Sequence, residues 1–211
     1  MPLRIDLFVT SPLETNTYLL RGGGDCWVID PGMGLDRLIA ALARDNQAPS
    51  RVLLTHAHGD HIAGLAELKE AFTQVRVCCP AADAEMLTDP QRNLSAPFGF
   101  EIIAASADEL IRAGQTIKMG ELAWQVLDTS GHSPGGVSYY CPLAEVVLTG
   151  DSLFSGGIGR TDIPGGDENR LLDNIARNLL TLPDRTRVLP GHGPESTIGQ
   201  ERRGNPFLLD A

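Results

Sequence analysis

Between Thr55 and His61 the chain reads Thr-His-Ala-His-Gly-Asp-His, which puts four groups able to bind a metal, His56, His58, Asp60 and His61, in one short stretch. Imidazole nitrogens and carboxylates suit Zn²⁺, and they also suit Fe and Mn. Taken alone, Asp60 reads as a helix N-cap, and any one of the histidines reads as a loop residue. Three histidines and an aspartate at this spacing are not explained that way.

Further groups of the same kind lie downstream. His132 sits in Ser130-Gly131-His132-Ser133-Pro134-Gly135, and His192 in Pro190-Gly191-His192-Gly193-Pro194. Asp151 follows the apolar run Val146-Val147-Leu148-Thr149-Gly150. Each alone reads as a turn residue. All three occupy the end of an apolar strand pattern, as the first cluster does, and that shared position argues that they meet in space. One catalytic zinc takes about three protein ligands plus water, so seven groups exceed what one ion needs. Two ions with three private ligands each and one shared carboxylate use all seven. The shared group must offer two oxygens, so it is an aspartate. Water between two divalent ions is acidified towards neutral pKa and yields hydroxide near pH 7. The count therefore predicts a centre of two divalent metal ions, Zn²⁺ first and Fe or Mn as alternatives. None of Cys26, Cys78, Cys79 and Cys141 lies at a motif position.

The elements that must position these groups are legible in the hydrophobic pattern. Arg51 to Leu54 reads as a short buried strand leading into the first cluster. Ile62, Leu65, Leu68 and Phe72 recur at helical spacing after it, predicting a helix over about 60–73. Residues 3–10 alternate as a strand, Ser11-Pro12-Leu13-Glu14 turns it, and strands follow at 15–20 and 26–30 around Gly22-Gly23-Gly24-Asp25. Leu35, Leu38, Ile39 and Leu42 mark a helix. A strand is expected at 75–78 and a short helix at 81–87. Residues 89–100, with Pro90, Pro97 and Gly99, read as an irregular excursion over the surface. The second half predicts hairpins over 116–127 and 137–148, a flexible loop at 156–159, a helix over 168–180, a strand at 187–189 and a short helix over 196–203. Strands, helices, strands and a helix in that order predict an α+β protein of two mixed sheets packed together with helices outside, as one domain over residues 1–211.

Composition narrows the field. The chain has 211 residues, 42% of them hydrophobic, enough for a sizeable core. Its net charge of −10 argues against nucleic acid or an anionic membrane as partner and leaves a small molecule as the expected one. The four cysteines show no CxxC spacing and read as buried free thiols of a reducing compartment. Arg4 and Asp6 interrupt any signal-peptide pattern, and no apolar run approaches a membrane span, so a cytoplasmic protein is expected.

The run His56-Ala57-His58-Gly59-Asp60-His61, with His132, Asp151 and His192 downstream, resembles the metallo-β-lactamase superfamily over nearly the whole chain. Val28-Ile29-Asp30-Pro31-Gly32 matches its early strand and turn. Thr149 to Phe154, Gly157-Ile158-Gly159-Arg160, Pro190-Gly191-His192-Gly193 and Asn205-Pro206-Phe207-Leu208 look like its glyoxalase II (hydroxyacylglutathione hydrolase) branch. The resemblance implies a four-layer αββα sandwich with the metals at one edge of the two sheets. It implies one metal on His56, His58 and His132, the other on Asp60, His61 and His192, and Asp151 bridging them. It further implies hydrolysis of a glutathione thioester of the S-D-lactoylglutathione type by a metal-bridging hydroxide, with Asp60 holding that hydroxide and taking its proton. Arg160 occupies the place of the family's substrate-binding Lys and is the candidate for an anionic group on the substrate. Asp30 is a candidate to accept the second N–H of a metal-bound imidazole.

Departures from the pattern shape the expectation. The longer glyoxalase II enzymes carry a C-terminal helical domain and a Tyr soon after the last histidine. Here Pro194 follows the His192-Gly193 pair and the chain ends at Ala211, so the short, single-domain form is expected. Class B β-lactamases often carry Cys at the position of Asp151 or another residue at that of His61, and flavodiiron proteins carry Glu at that of His58. Neither pattern is present, and penicillin hydrolysis is not expected. The alternatives are a persulfide dioxygenase with mononuclear iron, which shares Gly159-Arg160-Thr161-Asp162 but usually has Asp-Tyr after its last histidine, and lactone or other ester hydrolysis at the same dinuclear centre.

Overall fold

In the computed structural model, which describes residues 3–10 and 12–209, the first half of the chain winds one sheet and the second half another. The elements run β1 (Arg4–Thr10), β2 (Thr15–Gly22), β3 (Asp25–Ile29), α1 (Asp36–Arg44), β4 (Arg51–Leu53), α2 (Gly59–Ile62), α3 (Leu65–Ala71), β5 (Arg76–Pro80) and β6 (Glu109–Ile111). They continue with β7 (Thr116–Met119), β8 (Leu122–Asp128), β9 (Val137–Cys141), β10 (Val146–Gly150), β11 (Leu153–Phe154), β12 (Gly157–Ile158), α4 (Glu168–Asn174), β13 (Arg187–Pro190), β14 (Ser196–Thr197) and α5 (Ile198–Gly204).

The first sheet has the order β1-β2-β3-β4-β5-β6, antiparallel up to β3 and parallel beyond it. The second has the order β14-β13-β10-β9-β8-β7, with β10 and β13 parallel and the other pairs antiparallel. A parallel neighbour needs a crossover connection, and α4 lies between β10 and β13 in the chain. The candidate residues all follow strand ends: His56 to His61 after β4, His132 after β8, Asp151 after β10 and His192 after β13.

The inner faces of the two sheets share one core. Tyr18, Leu20, Trp27 and Leu53 meet Trp124, Tyr139, Val146 and Leu148, and the Trp27 and Trp124 ring centroids lie 6.4 Å apart. On the outer face of the first sheet, Val28 and Val52 pack with Leu38, Leu42, Ile62, Leu65 and Leu68 of the helices. On the outer face of the second, Val147 and Val188 pack with Leu171, Ile175 and Ile198. Helix, sheet, sheet and helix make the four-layer αββα sandwich that the resemblance implies. Trp124 is fully buried and its indole N–H has no partner, so its contribution is packing alone. Trp124→Ala should therefore cost about 3–5 kcal/mol, read as a shift in the urea midpoint. A loss below about 1 kcal/mol would show that the layer between the sheets is not the main core.

Several expectations need correction. The helix over 60–73 is two helices, because Gly64 donates its N–H to Pro31 O at 2.9 Å and a Cβ there would lie 2.3 Å from Gly32 O. The chain must pass the Pro31-Gly32 turn too closely for a continuous, fully side-chained helix. The helix over 168–180 ends at Asn174 and continues as a π-helical turn, Ile175–Leu179. The loop at 156–159 is the second arm of a small hairpin, β11 with β12. Residues 196–203 start as strand β14 before α5 begins. The segment 89–100 is not merely laid over the surface, since Asn93 and Ser95 are buried and hold it down. Of the turn expected at 11–14, Ser11 lies outside the described residues. No helix among the described residues is long and apolar enough to cross a membrane.

Candidate metal centre

The first loop leaves β4 through buried Leu54, and Ala57 anchors it in the outer core. Helix α2 then starts at Gly59, whose N–H donates to Asn93 O at 2.7 Å. His58, not Asp60, occupies the N-cap position, and Asp60 lies in the first turn. The single turn of α2 directs Asp60 and fully buried His61 to the same side.

Three groups of possible ligands result among the described residues. The ligating atoms of His56, His58 and His132 lie within 4.8 Å of one another, and so do those of Asp60, His61 and His192; a third group, Asp30, His56 and His61, shares one histidine with each of these two triads. His58 Nδ1 and His132 Nε2 are 2.9 Å apart. Asp60 Oδ2 lies 3.3 Å from His61 Nε2 and 3.1 Å from His192 Nε2. Asp151 faces both groups: Oδ1 is 3.3 Å from His61 Nε2, while Oδ2 is 3.5 Å from His192 Nε2 and 3.7 Å from His132 Nε2. All seven sequence-selected residues thus come together. Four ligands bound tetrahedrally at zinc distances stand about 3.4 Å apart, close to these separations.

The polar atoms of the cluster also fit cations. His56 Nε2, His58 Nε2, both nitrogens of His61 and Asp151 Oδ1 are buried without a hydrogen-bond partner. The carboxylates beside His61 are near it but do not meet its N–H groups in hydrogen-bonding geometry. Unpaired buried polar atoms cost about 1–3 kcal/mol each, and divalent cations would satisfy them together. Burial pushes the His56 imidazole well below its ordinary pKa, and burial with the neighbouring His132 pushes His58 down to about 3. Both are therefore neutral, as a metal ligand must be. Burial alone would lower His61 too, but Asp60, Asp151 and Asp30 outweigh it and raise that pKa. Burial raises Asp60 and Asp151, and the facing histidines, His61 foremost, hold both below the usual carboxylate range.

A second ring of contacts fixes these side chains. Asp30 accepts from Thr55 N at 2.7 Å and Thr55 Oγ1 at 2.6 Å, and its Oδ2 lies 3.1 Å from His61 Nδ1. It does so from the left-handed region, φ 47°, which a non-glycine residue adopts at a cost. His132 Nδ1 donates to the Arg160 carbonyl at 2.8 Å, leaving Nε2 to face the site. Thr15 Oγ1 donates to Asp60 Oδ2 at 3.0 Å. Asn16 Nδ2 and Tyr18 OH both donate to Pro190 O, at 3.0 and 2.8 Å, and steady the His192 loop.

Asp83 was not legible as a site residue, because it sits in what reads as an ordinary short helix. It is fully buried and accepts from Ser133 Oγ at 2.7 Å, Gly135 N at 2.6 Å and Ala57 N at 3.3 Å, tying the His56–His58 loop to the His132 loop. Asp83→Ala should lower the melting temperature and weaken metal affinity about 10–100-fold, measured by chelator competition. A lower melting temperature with unchanged affinity would show that this tie does not reach the centre.

Arg160 lines the adjoining cavity, but its exposed guanidinium is paired twice with Asp162, Nε to Oδ1 at 2.8 Å and Nη2 to Oδ2 at 2.9 Å. The cavity has a volume of about 170 Å³ and opens on His58, Asp60, His132 and Asp151. The four cysteines are free and buried, as expected.

The profile of the metallo-beta-lactamase superfamily matches residues 10–192. A Bacillus subtilis protein named probable metallo-hydrolase YqgX is 41% identical over 198 residues, 93% of each chain. The Haemophilus influenzae hydroxyacylglutathione hydrolase GloC is 36% identical over 183 residues, 86% of each chain. Among solved structures, BLEG-1 B3 metallo-beta-lactamase superposes with a TM-score of 0.92 at 39% identity, over 97% of this chain and 99% of that one. TTHA1623 in a di-iron-bound form superposes with a TM-score of 0.87 at 37% identity, over 96% of this chain and all of that one. The chain belongs to the metallo-β-lactamase superfamily. Within it, it stands with the metallo-hydrolases.

Proposed function

We propose that the chain hydrolyses thioesters at a centre of two divalent cations, with glutathione thioesters such as S-D-lactoylglutathione as the first class to test. The observation that carries this reading is Asp151, whose two oxygens face both triads at once. His56, His58 and His132 would hold one ion, Asp60, His61 and His192 the other, with Asp151 between them. Bound there, the ions would acidify water and polarise a carbonyl. Zn²⁺ is the proposed metal; the di-iron form of TTHA1623 keeps Fe in the comparison.

The chain's own groups have separable tasks. Asp60, fixed by Thr15, receives the proton of the attacking water at its carboxylate. Asp30 and the Arg160 carbonyl orient His61 and His132. No side-chain nucleophile is needed. The relative named GloC supports glutathione thioesters as substrates. The relative named a B3 β-lactamase makes β-lactams worth assaying despite the ligand pattern that argued against them. Four buried free thiols suit a reducing cytoplasm.

The test is turnover of S-D-lactoylglutathione by protein of measured metal content, with and without a chelator. Chelator-sensitive hydrolysis is the expected result. Absence of turnover for this and other thioesters, in protein holding two metals per chain, would overturn the reading in favour of lactones or β-lactams. Oxygen uptake with glutathione persulfide, in protein holding one iron, would overturn it in favour of the dioxygenase.

A further inference from the structure

Besides the metal-binding residues, the cavity is lined largely by apolar side chains, among them Leu13, Met33, Leu94, Phe98, Phe100 and Ile163. Phe98 is 60% exposed and Phe100 38%. Large apolar groups left open to water beside a functional cluster mark a binding surface. Their backbone is well held. Asn93 Nδ2 donates to Met86 O and Ile102 O, its side-chain oxygen accepts from Ser95 N, and Ser95 Oγ accepts from Ile102 N. The Asn93 carbonyl accepts from Gly59, the first residue of α2. The segment is therefore fastened to the metal loop through Asn93 and contributes two partly exposed phenyl rings to the cavity lining.

Charge points the same way. Arg160 is the one Lys or Arg on the cavity wall among the described residues, and its charge is already paired with Asp162, which accepts from Nε and Nη2 on one edge of the guanidinium. Size assigns the occupant. A volume of about 170 Å³ falls below the ~300–1,000 Å³ of pockets that enclose a drug-sized molecule. It holds a short chain, while a peptide-sized carrier thiol must remain outside.

We propose that this cavity binds an uncharged, aliphatic acyl chain, so that short- to medium-chain acyl thioesters are better substrates than the polar 2-hydroxyacyl ester. The reaction rests on the thioester reading; the selectivity rests on the cavity. Each methylene buried there should improve binding about fourfold.

Two series on one thiol test this. Hydrolysis is measured for S-acetyl- to S-hexanoylglutathione beside S-D-lactoylglutathione. Affinity is measured by calorimetry for S-methyl- to S-hexylglutathione, which have no ester bond to cleave. With metal-loaded protein, kcat/KM and affinity should both rise about fourfold per methylene, and the butanoyl ester should exceed the lactoyl ester. The double variant Phe98→Ser, Phe100→Ser should flatten both series with little change in melting temperature, since both rings are exposed. A flat affinity series in the parent protein, or a lactoyl ester preferred over the butanoyl ester, would overturn the proposal. Failure to hydrolyse any ester, with the affinity series intact, would remove the thioester reading and keep the apolar cavity.

Discussion

Asp151→Asn should abolish most of the activity and leave the fold in place. Among the described residues, Asp151 is the one carboxylate that faces all of His61, His132 and His192. Two divalent cations held side by side repel each other, and a shared anion is what offsets that repulsion. Asparagine keeps the size of the side chain but removes the charge and one acceptor oxygen. Metal content should fall from two ions per chain towards one, and kcat/KM should fall by roughly 10²–10³, the range seen when a single transition-state contact of this kind is lost. Because the histidines facing it, His61 foremost, hold the Asp151 carboxylate below its usual range, the metal-free variant should melt somewhat below the metal-free parent while still unfolding in one cooperative step. Metal analysis by mass spectrometry, paired with a melting curve, reads both effects. Two tightly held ions and full turnover in the variant would show that Asp151 does not bridge.

How much of this was legible in the sequence depends on the kind of signal. His56, His58, Asp60 and His61 were legible because a short motif fixes its own geometry. One strand end and one helical turn suffice to bring them together. His132, Asp151 and His192 were legible by residue type and by their place after apolar strands. Their meeting, however, depends on the pairing of β10 with β9 and β13, which no local pattern encodes. The two-sheet architecture followed from the order of elements, because each sheet needs helices to cover its outer face.

What was not legible depended on close approach between distant segments. The break between α2 and α3 falls at Gly64, a single glycine that a helical pattern tolerates, and what fixes it there is the close approach to Gly32. Apolar residues still recur at helical spacing across it, so periodicity alone reads one helix. Asp83 is a tie between loops about 26 and 50 residues away in sequence, and nothing in its neighbourhood signals that. The segment after Pro90 reads as loop from its prolines and glycine. Its inward anchoring by Asn93 appears only when Gly59 is placed beneath it. Arg160 was singled out for its guanidinium, whereas the atom that touches the centre is its main-chain oxygen.

A single added methyl should damage the centre as much as loss of a ligand does. Gly191 lies between β13 and His192, and its N–H donates to Gly150 O at 2.8 Å. A Cβ at this position would stand 2.1 Å from Asp151 Oδ1 and 2.7 Å from His61 Cε1. Its backbone is not left-handed, so Gly191→Ala introduces crowding without dihedral strain. The neighbours that must yield are two proposed metal ligands, and displacement of such groups by about 1 Å costs about 10²-fold in rate. Metal affinity by chelator competition should fall about 10–100-fold, with every ligand still present in the sequence. Gly193 supplies the contrast. Its φ is 74°, and a Cβ there meets nothing within 4 Å. Gly193→Ala should therefore cost about 1–2 kcal/mol of stability through left-handed strain while leaving metal affinity unchanged. If Gly191→Ala kept parental affinity and rate, the close packing of Gly191 against Asp151 and His61 would not be what holds those two side chains in register.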